Sequence, residues 1–310
     1  MGKIAFVFPG QGAQKVGMAK DVYDALPQAA ELFKTADEVL GFSISELAFE
    51  GPEEQLKQTA NTQPALLTAS IALFEALKSK NITPDYVAGH SLGEYSALVA
   101  ANALDFDQAV AIVRARGQYM EQAVPSGQGA MAAVLGAERE PLAALCAEIS
   151  ATGHAVELAN VNCPGQIVVS GSVEGVNAVA TRVKEIGGKR AIMLEVSGPF
   201  HSSLMKSAAD QLSERLQTVS FRDATVPVVA NVTAKTVTQG SDIQALLVEQ
   251  VYSPVLWEDS VRFLIHEGVD TFIEIGPGNV LTGLIKKIDK NVRLINISSL
   301  ESIEALQVEV

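Results

Sequence analysis

The chain has 310 residues, enough for one large domain or two unequal ones with a buried core. Hydrophobic residues make up 48% and charged residues 19%, the balance of a soluble globular protein, and no apolar run is long enough to span a membrane. A net charge of −13 repels nucleic acid and excludes it as a partner. The opening residues carry neither a long apolar stretch nor a small-residue cleavage site, so the chain reads as cytoplasmic, without a signal peptide. Cys146 and Cys163 form no Cys-x-x-Cys and have no histidine at ligand spacing. Zinc and a disulfide framework are therefore not expected, and both residues read as buried thiols.

Residues 4–8 predict a strand that runs into the turn Pro9-Gly10-Gln11-Gly12. One helix is expected over 21–39. Another is expected over 61–80, with Pro64 in its first turn and Leu66, Ile71, Phe74 and Leu77 on an apolar face. A short strand at 86–88 leads to Gly89, with helices following at 92–101 and 107–124. From residue 127 the pattern becomes strand 130–135, helix 140–150, strand 156–161, strand 167–170, helix 173–186 and strand 190–196. That order is β-α-β-β-α-β, the ferredoxin-like unit. Further strands are expected at 226–231, 271–275 and 292–297, with helices near 243–251, 255–267 and 280–288. The fold class expected is α/β: a large hydrolase-like domain (1–125 and 198–310) with a mostly parallel sheet, and an inserted ferredoxin-like small domain (126–197).

Gly89-His90-Ser91-Leu92-Gly93 fits G-x-S-x-G between a strand and a helix, the context of a nucleophile elbow. The alternative is a glycine-rich turn without chemistry. Ser91 would sit at a helix N-terminus, where backbone N–H groups stabilise an oxyanion. A serine needs a base, and there are four histidines. His90 lies inside the elbow and is expected to point elsewhere. His154 lies in a turn, and His266 ends a helix where a cation suits the dipole. His201, on the rigid turn Gly198-Pro199-Phe200-His201, remains as the candidate base, against the alternative of a structural loop histidine. Arg116 sits on the apolar stripe of its helix, with Ile112, Val113, Tyr119 and Met120 around it. A buried guanidinium needs a partner, either an internal acid or a substrate carboxylate. Gly10-Gln11-Gly12 fails the dinucleotide fingerprint because Lys15 replaces the last glycine. The Gln11 backbone could instead supply a second oxyanion donor beside Leu92.

Taken together, these segments resemble the malonyl-CoA–acyl carrier protein transacylases of fatty-acid synthesis. The match runs in order through Phe8-Pro9-Gly10-Gln11-Gly12, Thr62-Gln63-Pro64-Ala65, the Ser91 motif with Glu94-Tyr95 and Arg114-Ala115-Arg116-Gly117. It continues through Asn162-Cys163-Pro164-Gly165-Gln166, Pro199-Phe200-His201 and Glu274-Ile275-Gly276-Pro277-Gly278. The resemblance implies that Ser91 takes malonyl from coenzyme A and passes it to the phosphopantetheine thiol of an acidic acyl carrier protein. It implies that a main-chain carbonyl at Gln250 holds His201, that Arg116 pairs with the malonyl carboxylate, and that Gln11 and Leu92 form the oxyanion hole. Asn162 would line the cleft. No resident cofactor is implied, only a coenzyme A thioester as substrate, and a monomer is expected. Lys184, Lys189 and Arg190, or Lys286, Lys287 and Lys290, are candidate docking groups for the carrier or for the coenzyme A phosphates. A thioesterase or esterase using the same serine, a non-catalytic scaffold and a polyketide-pathway transferase are the rival readings.

Overall fold

The computed structural model describes residues 2–306. Lys3–Phe8 forms β1, followed by helices α1 (Lys20–Ala25), α2 (Pro27–Leu40), α3 (Ile44–Glu50), α4 (Glu53–Leu56) and α5 (Thr59–Leu77). Then come β2 (Tyr86–Gly89), α6 (Gly93–Ala100) and α7 (Phe106–Gln122). A compact run follows: β3 (Gly129–Leu135), α8 (Arg139–Ser150), β4 (Val156–Cys163), β5 (Gln166–Ser172), α9 (Val173–Arg182) and β6 (Arg190–Met193). The chain continues through α10 (Lys206–Leu216), β7 (Val228–Val229), β8 (Thr236–Val237), α11 (Gly240–Gln250) and α12 (Trp257–His266). It ends with β9 (Val269–Ile275), α13 (Val280–Ile288), β10 (Arg293–Ile297) and α14 (Leu300–Glu304).

The larger sheet has the order β10-β9-β1-β2-β7-β8 and is parallel except for β8. Strands buried on both faces read as continuous apolar runs, and alternate side chains serve opposite faces. In β1, Phe6 and Phe8 pack in one core cluster, with α5 and α7, while Ala5 and Val7 pack in another, with Trp257 of α12 and Leu281 of α13. The smaller sheet is antiparallel with the order β4-β5-β3-β6, the ferredoxin-like arrangement. Leu142, Leu145 and Ile149 of α8 and Val176 and Val179 of α9 cover one of its faces. Backbone bonds from Val161 N to Val255 O and from Val255 N to Ala159 O stitch β4 to the segment after α11.

The structure departs from the sequence expectations in several places. The helix expected over 21–39 is two helices, because Pro27 lacks the N–H that would continue the first and opens the second instead. Pro64 lies inside α5, not in its first turn, since the helix begins at Thr59. That helix is also buried nearly all round, with Thr62, Gln63, Thr68 and Ser70 as hidden as its leucines, so it has no separate polar face. The strand expected over 190–196 ends at Met193, and that expected over 226–231 shrinks to Val228–Val229. Helices α3, α4 and α14 and the short β8 were not anticipated. Both cysteines are buried thiols, and burial pushes Cys146 up to about 12. Among the described residues, no helix is long and apolar enough to cross a membrane.

Candidate active site

Strand β2 ends at Gly89 and helix α6 begins at Gly93, so the chain reverses within three residues. Ser91 occupies the left-handed region, φ 51°, a strained position for a non-glycine residue. The turn closes this tightly because its flanking residues lack side chains. A Cβ on Gly89 would lie 1.9 Å from the Gly93 carbonyl carbon, and one on Gly93 would lie 2.1 Å from the Phe8 oxygen. The elbow carries Ser91 Oγ to 2.8 Å from His201 Nε2. His201, itself at φ 58°, is buried in the loop that follows β6. Its Nδ1 lies 2.8 Å from the main-chain oxygen of Gln250. A carbonyl only accepts, so Nδ1 carries the proton and donates to it. Nε2 is left to accept from the Ser91 hydroxyl.

Helix α7 presents Arg116 to the same point. Its guanidinium is 1% exposed and donates from Nη1 to Gln63 Oε1 (2.8 Å), and from Nη2 to Gln250 Oε1 (2.9 Å) and Ser91 Oγ (3.2 Å). Among the described residues it has no carboxylate oxygen within 4.0 Å, so the internal ion pair weighed above is not present. Neutral amide oxygens hold a buried cation 3.2 Å from a candidate nucleophile, which leaves the charge open to an incoming anion.

The family described as acyl transferase domain matches residues 5–307. The malonyl CoA-acyl carrier protein transacylase of Bacillus subtilis is 55% identical over 304 residues, 98% of this chain and 96% of the relative. That of Staphylococcus aureus is 51% identical over 98% of both chains. The chain belongs to the malonyl-CoA–acyl carrier protein transacylase family. The crystal structure of an acyl carrier protein S-malonyltransferase from Vibrio cholerae matches with a TM-score of 0.96 at 44% identity, covering 98% of this chain and 100% of that one. A malonyl-transacylase solved in complex with a type II polyketide acyl carrier protein matches with a TM-score of 0.94 at 43% identity, covering 97% and 98%.

In this member of the family, burial first, and the Arg116 charge second, lower His201 to about 3, against the opposing hydrogen bond to Gln250. The imidazole is therefore neutral at physiological pH. A cavity of about 120 Å³ surrounds Ser91, walled by Arg116, Met120, Met131 and Phe200 and reached by Gln11. A wider cavity of about 430 Å³ adjoins it, between Leu281 and Leu284 of α13 and Ala133 and Val168 of the smaller sheet. Gln11 donates its side-chain Nε2 to Thr59 Oγ1 at 3.1 Å. Its backbone N–H and that of Leu92 take no partner among the described residues. The Ser91 N–H, by contrast, is already bound to Asn231 Oδ1 at 2.7 Å.

Asn162 lines the wider cavity and accepts from His90 Nε2 at 2.8 Å. His90 therefore faces the cleft, contrary to the expectation that the elbow turns it away. Its ring also lies 5.7 Å from that of Trp257. His154 and His266 are exposed, away from the site. Among the described residues, no group of three His, Cys, Asp or Glu side chains is placed to hold a metal.

Four features of the site escaped the sequence reading: Gln63, Glu94, Asn231 and the side chain, rather than the carbonyl, of Gln250. Asn231 donates Nδ2 to Gly89 O at 2.6 Å while accepting from Ser91 N, so one amide grips both flanks of the elbow. The available signal was polarity in apolar surroundings, as with Gln63 inside Pro64-Ala65-Leu66-Leu67 and Glu94 before Tyr95-Ser96-Ala97-Leu98.

Proposed function

We propose that this enzyme moves malonyl from coenzyme A to the phosphopantetheine thiol of an acyl carrier protein in two half-reactions. Ser91 Oγ attacks the thioester carbonyl and His201 Nε2 takes its proton. The negative charge on the former carbonyl oxygen is met by the Gln11 and Leu92 N–H groups, each contributing about 3 kcal/mol by analogy with comparable sites. The C–S bond then breaks, His201 returns the proton to the departing coenzyme A sulfur, and malonyl-Ser91 remains. The carrier thiol enters, gives its proton to His201 and repeats the sequence in reverse. Throughout, the Gln250 carbonyl does the orienting that a carboxylate does in other serine enzymes.

Arg116 gives the reaction its acyl selectivity by pairing with the free malonyl carboxylate. The observation that carries this reading is the buried guanidinium 3.2 Å from Ser91 Oγ, held by amides and not by an acid. Asn162 belongs to the cleft wall that guides the pantetheine arm. No step uses a resident cofactor. The product is the malonyl donor for fatty-acid chain elongation, and the same chemistry on a polyketide carrier is the second reading. The same proposal takes residues 1–125 and 198–310 as the catalytic body and 126–197 as the insertion that roofs the cleft, with residues 1 and 307–310 outside the described residues. It also makes the enzyme a cytoplasmic monomer.

The first test is intact mass after incubation with malonyl-CoA alone. One malonyl adduct is expected on the wild type, none on Ser91→Ala, and a sharp reduction on Arg116→Ala. Free malonate without adduct would turn the assignment to a hydrolase, and no adduct with no turnover would turn it to a scaffold. Parallel transfer assays with fatty-acid and polyketide carriers separate the two pathway readings.

A further inference from the structure

Glu94 lies three residues beyond Ser91, in the first turn of α6, and no step above uses it. It is 3% exposed. Its Oε2 accepts from Gln250 Nε2 at 2.7 Å and from the main-chain N of Asn231 at 3.2 Å. Gln250 Nε2 also reaches Ser91 O at 3.0 Å and Asn231 Oδ1 at 3.3 Å. At the other end of the same amide, Oε1 accepts from Arg116 Nη2 at 2.9 Å. Acceptors crowd one end of the amide and a donor-only guanidinium faces the other. Turned over, the amide would place oxygen against oxygen and N–H against N–H, so it has a single orientation. Among the groups that impose it, Glu94 makes the shortest bond.

We propose that Glu94 is a positioning residue for malonyl selectivity: it fixes the Gln250 amide, whose oxygen holds the Arg116 guanidinium where an acyl carboxylate meets it beside Ser91. The inference rests on the transfer reaction proposed above. Burial pushes Glu94 up to about 7, while bonds from Gln250 and Asn231 and the Arg116 charge pull it down. Ionised or protonated, Oε2 remains an acceptor, so the role requires an oxygen at that reach and not a charge. Glutamine supplies such an oxygen. Aspartate, one methylene shorter, does not reach.

The test compares kcat/KM for malonyl-CoA with that for acetyl-CoA in the wild type, Glu94→Gln, Glu94→Asp and Gln250→Met. The last variant keeps the main-chain carbonyl that holds His201 and removes only the amide. Glu94→Gln is expected within about twofold of the wild-type ratio. Glu94→Asp and Gln250→Met are expected to lower it about tenfold, the scale of a lost hydrogen bond to a charged group. The loss should fall mainly on KM for malonyl-CoA, with acetyl transfer changed less. A wild-type ratio in either Glu94→Asp or Gln250→Met would overturn the inference, as would equal losses in Glu94→Gln and Glu94→Asp. Should one of these two variants fail to fold, the other decides. A wild-type enzyme with no malonyl preference at all would instead sink the role given to Arg116.

Discussion

His201, the proposed base, sits where its environment keeps it unprotonated. Burial and the neighbouring Arg116 charge hold it at about 3, whereas an unfolded histidine titrates near an ordinary value of about 6.5. The acid limb of kcat/KM for malonyl loading is therefore expected well below pH 6. A limb near 6.5 would mean that the imidazole is not buried as described. The same shift enters stability. Below about pH 6.5 the unfolded chain binds a proton that folded His201 refuses, so this residue lowers stability as pH falls and contributes nothing to the slope above that range. At pH 5 the cost is about 2 kcal/mol. His201→Gln is expected to remove it, which urea unfolding of both proteins at pH 7 and pH 5 would read directly. Arg116→Ala is expected to cost malonyl transfer about 3 kcal/mol, or roughly 100-fold in kcat/KM, while affecting acetyl transfer far less. Unchanged discrimination between the two thioesters would remove Arg116 from the role of clamp. Ser91, His201 and Arg116 were legible in the sequence because each breaks a local pattern: a glycine-framed turn, the last histidine left after elimination, a cation on an apolar stripe. Glu94 carries only the weaker signal of an acid ahead of an apolar run, and Asn231 breaks no comparable pattern. Their part in the site is relational, and Asn231 lies 140 residues from the serine whose N–H it holds.

Among the elements, the elbow and the α5–α7 crossing leave no room for an added side chain. A Cβ on Gly117, the residue after Arg116, would lie 2.7 Å from Ala60 Cα and 2.9 Å from the Thr59 oxygen. Gly117→Ala is expected to push the helices apart at a cost of about 1–3 kcal/mol, and to shift Arg116 relative to Ser91. Denaturation midpoints would show the first effect. A malonyl loading rate reduced more than acetyl loading would show the second, whereas equal reductions would mean that α7 absorbs the strain elsewhere. The sequence placed most elements because strand and helix periods differ, and both sheets follow from that alternation. It misplaced boundaries where a tertiary contact wins over a local preference. Val228–Val229 is short because Pro227, which has no N–H, precedes it and the chain turns at Asn231, whose amide grips Gly89 and Ser91. Pro64 sits inside α5, where the surrounding core outweighs the usual cost of an interior proline.

For the molecule as a whole, a net charge of −13 must still admit the proposed carrier, expected to be acidic. The structure sets Lys286 and Lys287 in the last turn of α13, and Lys287 Nζ donates to Gln166 Oε1 at 3.1 Å. Gln166, Leu281 and Leu284 all line the wider cavity, so Lys287 stands close to it, with Lys286 next to it in the chain. Reversing both charges is expected to raise KM for the carrier roughly tenfold and to flatten its salt dependence. An unchanged KM would move the docking role to Lys184, Lys189 and Arg190.

The central place of β1 also has a consequence in time. It lies between β2 and β9, yet its two partners leave the ribosome far apart. At about 5–20 residues per second, residue 269 follows residue 8 by roughly 13–50 s. From the arrival of β2 at residues 86–89 until that of β9, the first strand has one side paired and the other bare, an unpaired edge of the kind that recruits other chains. A nascent or truncated chain ending before β9 therefore carries an open parallel edge, and its safe passage depends on what shields that edge until the last third of the protein has been made.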